Sequence, residues 1–265
     1  MALSLVKNAQ DRLSTDHFGR PMRGVEEVGS TNERAAQWAA KGAPEGATVL
    51  TEYQTTGRGR HGREWTAEKG RNLLFSVVLR PGLSPDRFGL LTVAAGVAVA
   101  EAVETVVSPH SALLKWPNDV LLEDRKTCGI LLESSLAPPD ADAVVVLGVG
   151  LNVNQSDFPA SLADTATSLR LAAGRPVPRP PLLAQVLQSL ERRYEAVRTG
   201  DAASVRAAFR TRLASLGATR TLHAPGTDEA LTGTVQGITE TGALRLRTAD
   251  GTVTEVHAGD VTSQN

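Results

Sequence analysis

The run FGLLTVAAGVAVAEAVETVV, Phe88–Val107, is apolar on every side and long enough for a buried core helix. Its most apolar part, Phe88 to Ala100, is rich in Ala and Gly and is followed by Glu101 and Glu104, so it falls short of the ~20 residues a bilayer helix needs. Short apolar runs surround it: Thr48–Tyr53 and Asn72–Arg80 before it, then Ala112–Lys115, Asp119–Leu122, Gly129–Glu133 and Ala143–Val149, separated by turn-prone residues. One long helix among so many closely spaced strands argues against a regular βαβ succession. The expected fold class is α+β, with a mixed, largely antiparallel sheet and flanking helices.

Working outward, Ser30 and Glu33 have capping-box spacing and the Ala-rich stretch ends at Gly42, which predicts a helix over about 31–41. Residues 1–24 carry mixed charge and Pro21 and read as an irregular lead-in with at most one helical turn. On the far side, four prolines between Arg175 and Pro181 mark a stiff connection. Leu183, Val186, Leu187, Leu190, Tyr194 and Val197 then recur at helical spacing, and 201–216 predicts another helix stopped at Gly217. From Thr219 short strands with turns at Pro225-Gly226, Thr241-Gly242 and Asp250-Gly251 predict a small β-barrel. The expected organisation is a lead-in over 1–24, a main domain over 25–216 and the barrel over 217–265.

With 265 residues, 41% hydrophobic and a formal net charge of -1, the chain has the composition of a globular protein without a whole-molecule field for nucleic acid or anionic membrane. A single cysteine, Cys128, excludes an intramolecular disulfide and a cysteine-rich zinc site, and fits a reducing compartment. The apolar run Met1–Val6 followed by Lys7 lacks the order of a secretory signal, so a cytoplasmic location is expected. His17, His110, His223 and His257 show no metal-ligand spacing.

Chemistry concentrates in two places. Gly57-Arg58-Gly59-Arg60-His61-Gly62-Arg63 combines glycines that let backbone approach a ligand with guanidinium groups suited to phosphate or carboxylate. It contains G-x-G-x-x-G, but a strand rather than a helix follows and no acid stands ~20 residues on, which argues against a dinucleotide fold. A solvated basic loop is the plain alternative. In Lys115-Trp116-Pro117-Asn118-Asp119 a strand ends in a cation, an aromatic, an amide and a carboxylate; the same five residues would also make a well-formed turn.

These two motifs, with Lys126-x-x-Gly129-Ile130-Leu131 and Gly148-x-Gly150-x-Asn152, stand in the order seen in biotin protein ligases. The resemblance runs from about Glu27 to Val261, including Gly29-Ser30-Thr31-Asn32 and Ala258-Gly259-Asp260-Val261. It implies a catalytic domain like those of class II aminoacyl-tRNA synthetases and lipoate ligases, followed by an SH3-like β-barrel. It also implies the use of MgATP to make biotinyl-5'-AMP and to transfer biotin to a lysine of the biotin carboxyl carrier domain of carboxylases.

By that resemblance Ser30, Thr31, Asn32 and Gln54 bind biotin, whose ureido ring wants neutral donors and acceptors. Arg58, Gly59, Arg60 and Lys126 meet biotin and the adenylate, and Arg58, Arg60, Arg63, Trp65, Asn72, Lys115, Asn118 and Asn152 meet the nucleotide. Lys126, Arg60 and Lys115 are the expected catalytic residues, and Asp119 is the candidate for positioning Mg²⁺. Two positions depart from the pattern: Cys128 replaces a small Ala or Gly, and His61 stands where Arg or Lys is common. A DNA-binding domain is not expected, since the resemblance begins within about thirty residues of Met1; a homodimer through the sheet edge is possible. A ligase for lipoate and a catalytically silent binding module are the rival readings.

Overall fold

A computed structural model describes residues 2–134, 143–223, 230–257 and 259–262. Seven strands form the main sheet in the order β1-β2-β3-β7-β6-β5-β4. They are β1 (Met22–Val25), β2 (Thr48–Thr51), β3 (Leu73–Leu79), β4 (Leu113–Lys115), β5 (Asp119–Leu122), β6 (Arg125–Ser134) and β7 (Val145–Leu151). Only the β1–β2 pair is parallel, so the sheet is mixed and largely antiparallel.

The helix read from the apolar run is α3 (Gly89–Val107), packed with the longer α5 (Arg179–Arg198) against one face of the sheet. At 19 residues, extended by a short turn from Pro85, it is long and apolar enough by length and composition to cross a bilayer. Length therefore does not set it apart from a membrane span, but burial does: 72% of that window is enclosed by protein. The opposite face is covered by α2 (Thr31–Ala39), whose Ala35 and Ala39 pack on Val49, Val78 and Val146. Small residues there bring the start of α2 close to the strands.

The expectation of an irregular lead-in is overturned. Residues Ala2–Gln10 form α1, which buries Ala2, Leu5, Val6 and Ala9, the i, i+3, i+4, i+7 set of one helical face. Met22–Val25 then joins the sheet as its edge strand. The Ser30–Glu33 capping box is also absent: Ser30 is buried and makes no side-chain cap, and the Thr31 N–H is taken by Gln54 Oε1 at 2.8 Å. The proline-rich connection is shorter than expected, because α5 begins at Arg179 with prolines in its first turn, where their missing N–H groups cost nothing. A short helix missed from sequence, α4 (Leu169–Ala173), follows β7.

After α6 (Ala202–Arg212) the chain forms a five-stranded antiparallel sheet from β8 (Thr219–His223), β9 (Ala230–Ile238), β10 (Leu244–Arg247), β11 (Val253–Val256) and β12 (Asp260–Thr262). The predicted turn at Pro225-Gly226 and residue Ala258 lie outside the described residues. The turn at Thr241-Gly242 reaches back to the main sheet, where Trp116 Nε1 donates to Gly242 O at 3.0 Å.

Candidate active site

Above the middle of the main sheet, on the α2 side, lies a cavity of about 420 Å³. Its floor is bare backbone. Gly148 and Gly150 alternate on one face of β7, and Gly129 of β6 is the register partner of Gly150. A Cβ at Gly148 would overlap the Asn32 amide, and one at Gly129 would stand 2.8 Å from the Trp65 ring, which also lies over Gly150. The three glycines thus leave room for two side chains that face any occupant.

One end of the cavity is a chain of neutral polar groups. Gln54 Oε1 lies 3.0 Å from Thr31 Oγ1, which lies 2.7 Å from Ser76 Oγ, which lies 2.6 Å from Asn32 Oδ1. Asn32 Nδ2 donates onward to Glu133 Oε2 at 2.7 Å. Those three oxygen–oxygen contacts share only two hydroxyl hydrogens, one from Thr31 and one from Ser76. The chain is therefore one donor short, and a ligand N–H would complete it.

The other end is cationic. Lys126 is the second residue of β6, and regular alternation would place it on the same side as the fully buried Cys128. A bulge in the β5–β6 pairing sets Leu121 against Lys126 and Val120 against Cys128, leaving Thr127 over. The extra residue turns the lysine toward the cavity, where its stem passes above Gly129. Lys126 Nζ lies 2.7 Å from Asp119 Oδ1, at angles that do not make a hydrogen bond, and 5.5 Å from the centre of the Trp65 ring. Backbone bonds from Lys126 N to Thr165 O and from Thr167 N to Lys126 O fix the base of the side chain. Behind the floor, burial pushes the Cys128 thiol far up, with Lys126 opposing and Asp119 adding to the shift, so the cysteine stays a neutral packing group.

The Gly/Arg loop forms the lid. Gly59 N donates to Arg63 O and Trp65 N to Gly57 O, which folds 57–65 into a small hairpin whose tip, Arg60–Gly62, is a single tight turn. His61 at that tip has φ 54°, in the left-handed region. Arg60 Nη1 donates to Asn118 Oδ1 at 3.4 Å, and Asn118 is itself tied to Ile130 O. Arg58 lies between two carboxylates, 3.5 Å from Glu33 and 3.3 Å from Glu133.

Ser30, Thr31, Asn32, Gln54, Arg58, Gly59, Arg60, Arg63, Trp65, Lys115, Asn118, Asp119, Lys126 and Asn152 all line this one cavity. Asn72 does not. It is buried beneath the wall, where Nδ2 donates to Gln155 Oε1 at 2.7 Å and Oδ1 accepts from Val153 N–H at 2.9 Å, a joint between the start of β3 and the exit of β7. A nucleotide contact for Asn72 is therefore corrected to a structural role. Trp65 Nε1 and Asn152 Oδ1 are buried at the cavity without a hydrogen-bond partner, one donor and one acceptor. Among the described residues no group of three or more His, Cys, Asp or Glu converges as a metal cage. Asp119 and Glu64 are carboxylates on the cavity wall, the oxygen ligands that a hydrated Mg²⁺ would accept.

Sequence reasoning missed Ser76, Glu64, Glu133 and the wall segment with Phe158, Leu162, Thr165 and Ala166. For Ser76 a signal existed: it is the only polar residue in the strand LLFSVVL. The wall segment carries no periodic pattern and becomes visible only through its pairing with Lys126.

Residues 25–152 match the profile of the biotin/lipoate A/B protein ligase family, and 223–262 that of the biotin protein ligase C terminal domain. The bifunctional ligase/repressor BirA of Bacillus subtilis is 34% identical over 254 residues, spanning 94% of this chain and 76% of that protein. The biotin–[acetyl-CoA-carboxylase] ligase of Mycobacterium tuberculosis is 38% identical over 242 residues, spanning 89% and 86%. The solved biotin protein ligase of Aquifex aeolicus in complex with biotin and ATP superposes with a TM-score of 0.79 at 28% identity, over 91% of this chain and 97% of that one. Four ordered motifs gathered into one cavity, both domain profiles and relatives matched along most of their length lead to one conclusion: this chain belongs to the biotin protein ligase family.

Proposed function

We propose that this cavity turns biotin and ATP into biotinyl-5'-AMP and presents the adenylate to the lysine of a biotin carboxyl carrier domain. The observation that carries the proposal is the pairing of a neutral polar chain, one donor short, with a cationic end built on Lys126, Lys115 and Arg60. A ureido ring supplies two N–H donors and a carbonyl, which fits Gln54, Thr31, Ser76 and Asn32 better than the apolar ring of lipoate does. The valeryl tail crosses the glycine floor, and its carboxylate meets the cations.

In the first step a carboxylate oxygen attacks the α-phosphorus, and the bond from that phosphorus to the bridging oxygen of pyrophosphate breaks. Two anions must approach each other, so Lys126, Arg60 and Lys115 offset their repulsion and the charge that develops. Asp119, with Glu64 also on the cavity wall, would hold a Mg²⁺ whose charge would offset that of the phosphates, and Lys126 exchanges Asp119 for the reacting oxygens. Trp65 offers an aromatic face to adenine, and Asn152 Oδ1 an acceptor for its amino group. In the second step the carrier amine attacks the acyl carbon, AMP departs with the C–O electrons, and the amine loses its proton. The Arg/Gly loop keeps water from the anhydride in between. DNA binding is not part of this function, and a cytoplasmic location suits its substrates.

Incubation of the protein with biotin, MgATP and an unmodified carrier domain tests the reading. The carrier should gain one biotinyl group by mass spectrometry and none with lipoate; a carrier of unchanged mass would refute it.

A further inference from the structure

Glu133 joins the two parts of the site through a single carboxylate oxygen. Its Oε2 accepts from Asn32 Nδ2 in the neutral pocket at 2.7 Å and from Arg58 Nη2 in the lid at 3.3 Å. The opposite Arg58 nitrogen, Nη1, lies 3.5 Å from Glu33 Oε1 in the first turn of α2. From this geometry we infer that Glu133 is a positioning residue that latches the lid to the pocket, so that the order of residues 57–65 and the setting of Asn32 depend on the same carboxylate.

The chemistry supports a latch over a fixed brace. Glu133, Arg58 and Glu33 have side-chain exposures of 40%, 43% and 52%. Ion pairs that wet are weak one by one and are screened by salt. The bond to Asn32 is of another kind, since it holds an amide that is almost wholly buried above Gly148. One carboxylate thus has a firm attachment on the pocket side and a loose one on the lid side. Glu133 gives up Arg58 readily when a better anion arrives, yet without a ligand it keeps the lid near the pocket. Arg58 is thereby prevented from drifting into solvent. The inference rests on the ligase reading only for the identity of that anion, the carboxylate or phosphate of the reactants.

Glu133→Gln tests it cleanly, because the amide oxygen still accepts from Asn32 while the charge facing Arg58 is gone. The lid contains three trypsin sites, Arg58, Arg60 and Arg63, so limited trypsinolysis of the full-length, ligand-free protein reads its closure directly. At ~0.05 M salt the variant should be cut in the lid about threefold faster than wild type. Raising salt to ~0.5 M should accelerate wild type several-fold and the variant much less, since only the Arg58–Glu33 pair is left in it to be screened. Glu33→Gln should give a smaller acceleration with part of the salt dependence retained. Equal cleavage rates for wild type and Glu133→Gln, or an equal response to salt, would overturn the latch. Carrier biotinylation by the wild-type protein is scored separately, so failure of the latch and failure of the ligase reading are distinguishable.

Discussion

At the α2 end of the cavity the buried Thr31, Ser76 and Asn32 and the half-buried Gln54 already hold one another in place. At the lid end the cations face partners that the reaction must displace: Lys126 faces Asp119, Arg60 bonds Asn118, and Arg58 stands between Glu33 and Glu133. The difference follows from charge. Neutral groups can satisfy each other in a dry pocket at little cost, whereas an unpaired cation held away from water is expensive. On the proposed reading, recognition of the neutral ring is preformed, and the cationic end exchanges internal partners for substrate anions as the reactants bind.

Substitutions at the two ends should separate these behaviours. Lys126→Met should have the largest effect, lowering biotin-dependent pyrophosphate exchange about 10³-fold while biotin still binds, since a group that meets charge in the transition state is lost. Loss of biotin binding in that variant would break the contrast. Gly148→Ala comes next. Its Cβ meets the Asn32 amide, so the preformed end is distorted, and KM for biotin should rise about 10²-fold with KM for ATP nearly constant. Ser76→Ala removes one hydroxyl and should raise KM for biotin about tenfold, again with ATP unaffected. A parallel rise in KM for ATP would show that the two ends are not independent. Arg63→Gln should have the smallest effect, about a threefold rise in KM for ATP that vanishes at high salt.

Much of this was legible in the sequence because the motifs sit where backbone, not side chains, makes the surface. Gly129, Gly148 and Gly150 interrupt apolar strands at positions where a Cβ has no room, and the Arg-rich loop announces its charge. The core helix and the antiparallel strands follow from apolar runs and their spacing. The N-terminal helix was hidden by shortness: only four buried residues mark its face, and mixed charges surround them. Asn72 was misassigned because an amide at a strand start looks the same whether it turns to a ligand or to a neighbouring loop; only its bonds to Gln155 and Val153 decide. Ser76 stands out as the one polar residue of its strand, but its partners, like those of Glu133, emerge only from the pairing that puts β3 and β6 on either side of β7.

Trp65 has one more consequence. The chain has three tryptophans: Trp38 lies under the Arg23 guanidinium, Trp116 borders the cavity with its indole N–H bonded to Gly242, and Trp65 lies over the glycine floor with an indole N–H that has no acceptor. Its emission should report occupancy of the chamber without any attached dye. A titration followed in an ordinary fluorimeter should register nucleotide arriving, and a Trp116→Phe variant would separate the Trp65 signal from that of the second indole at the cavity.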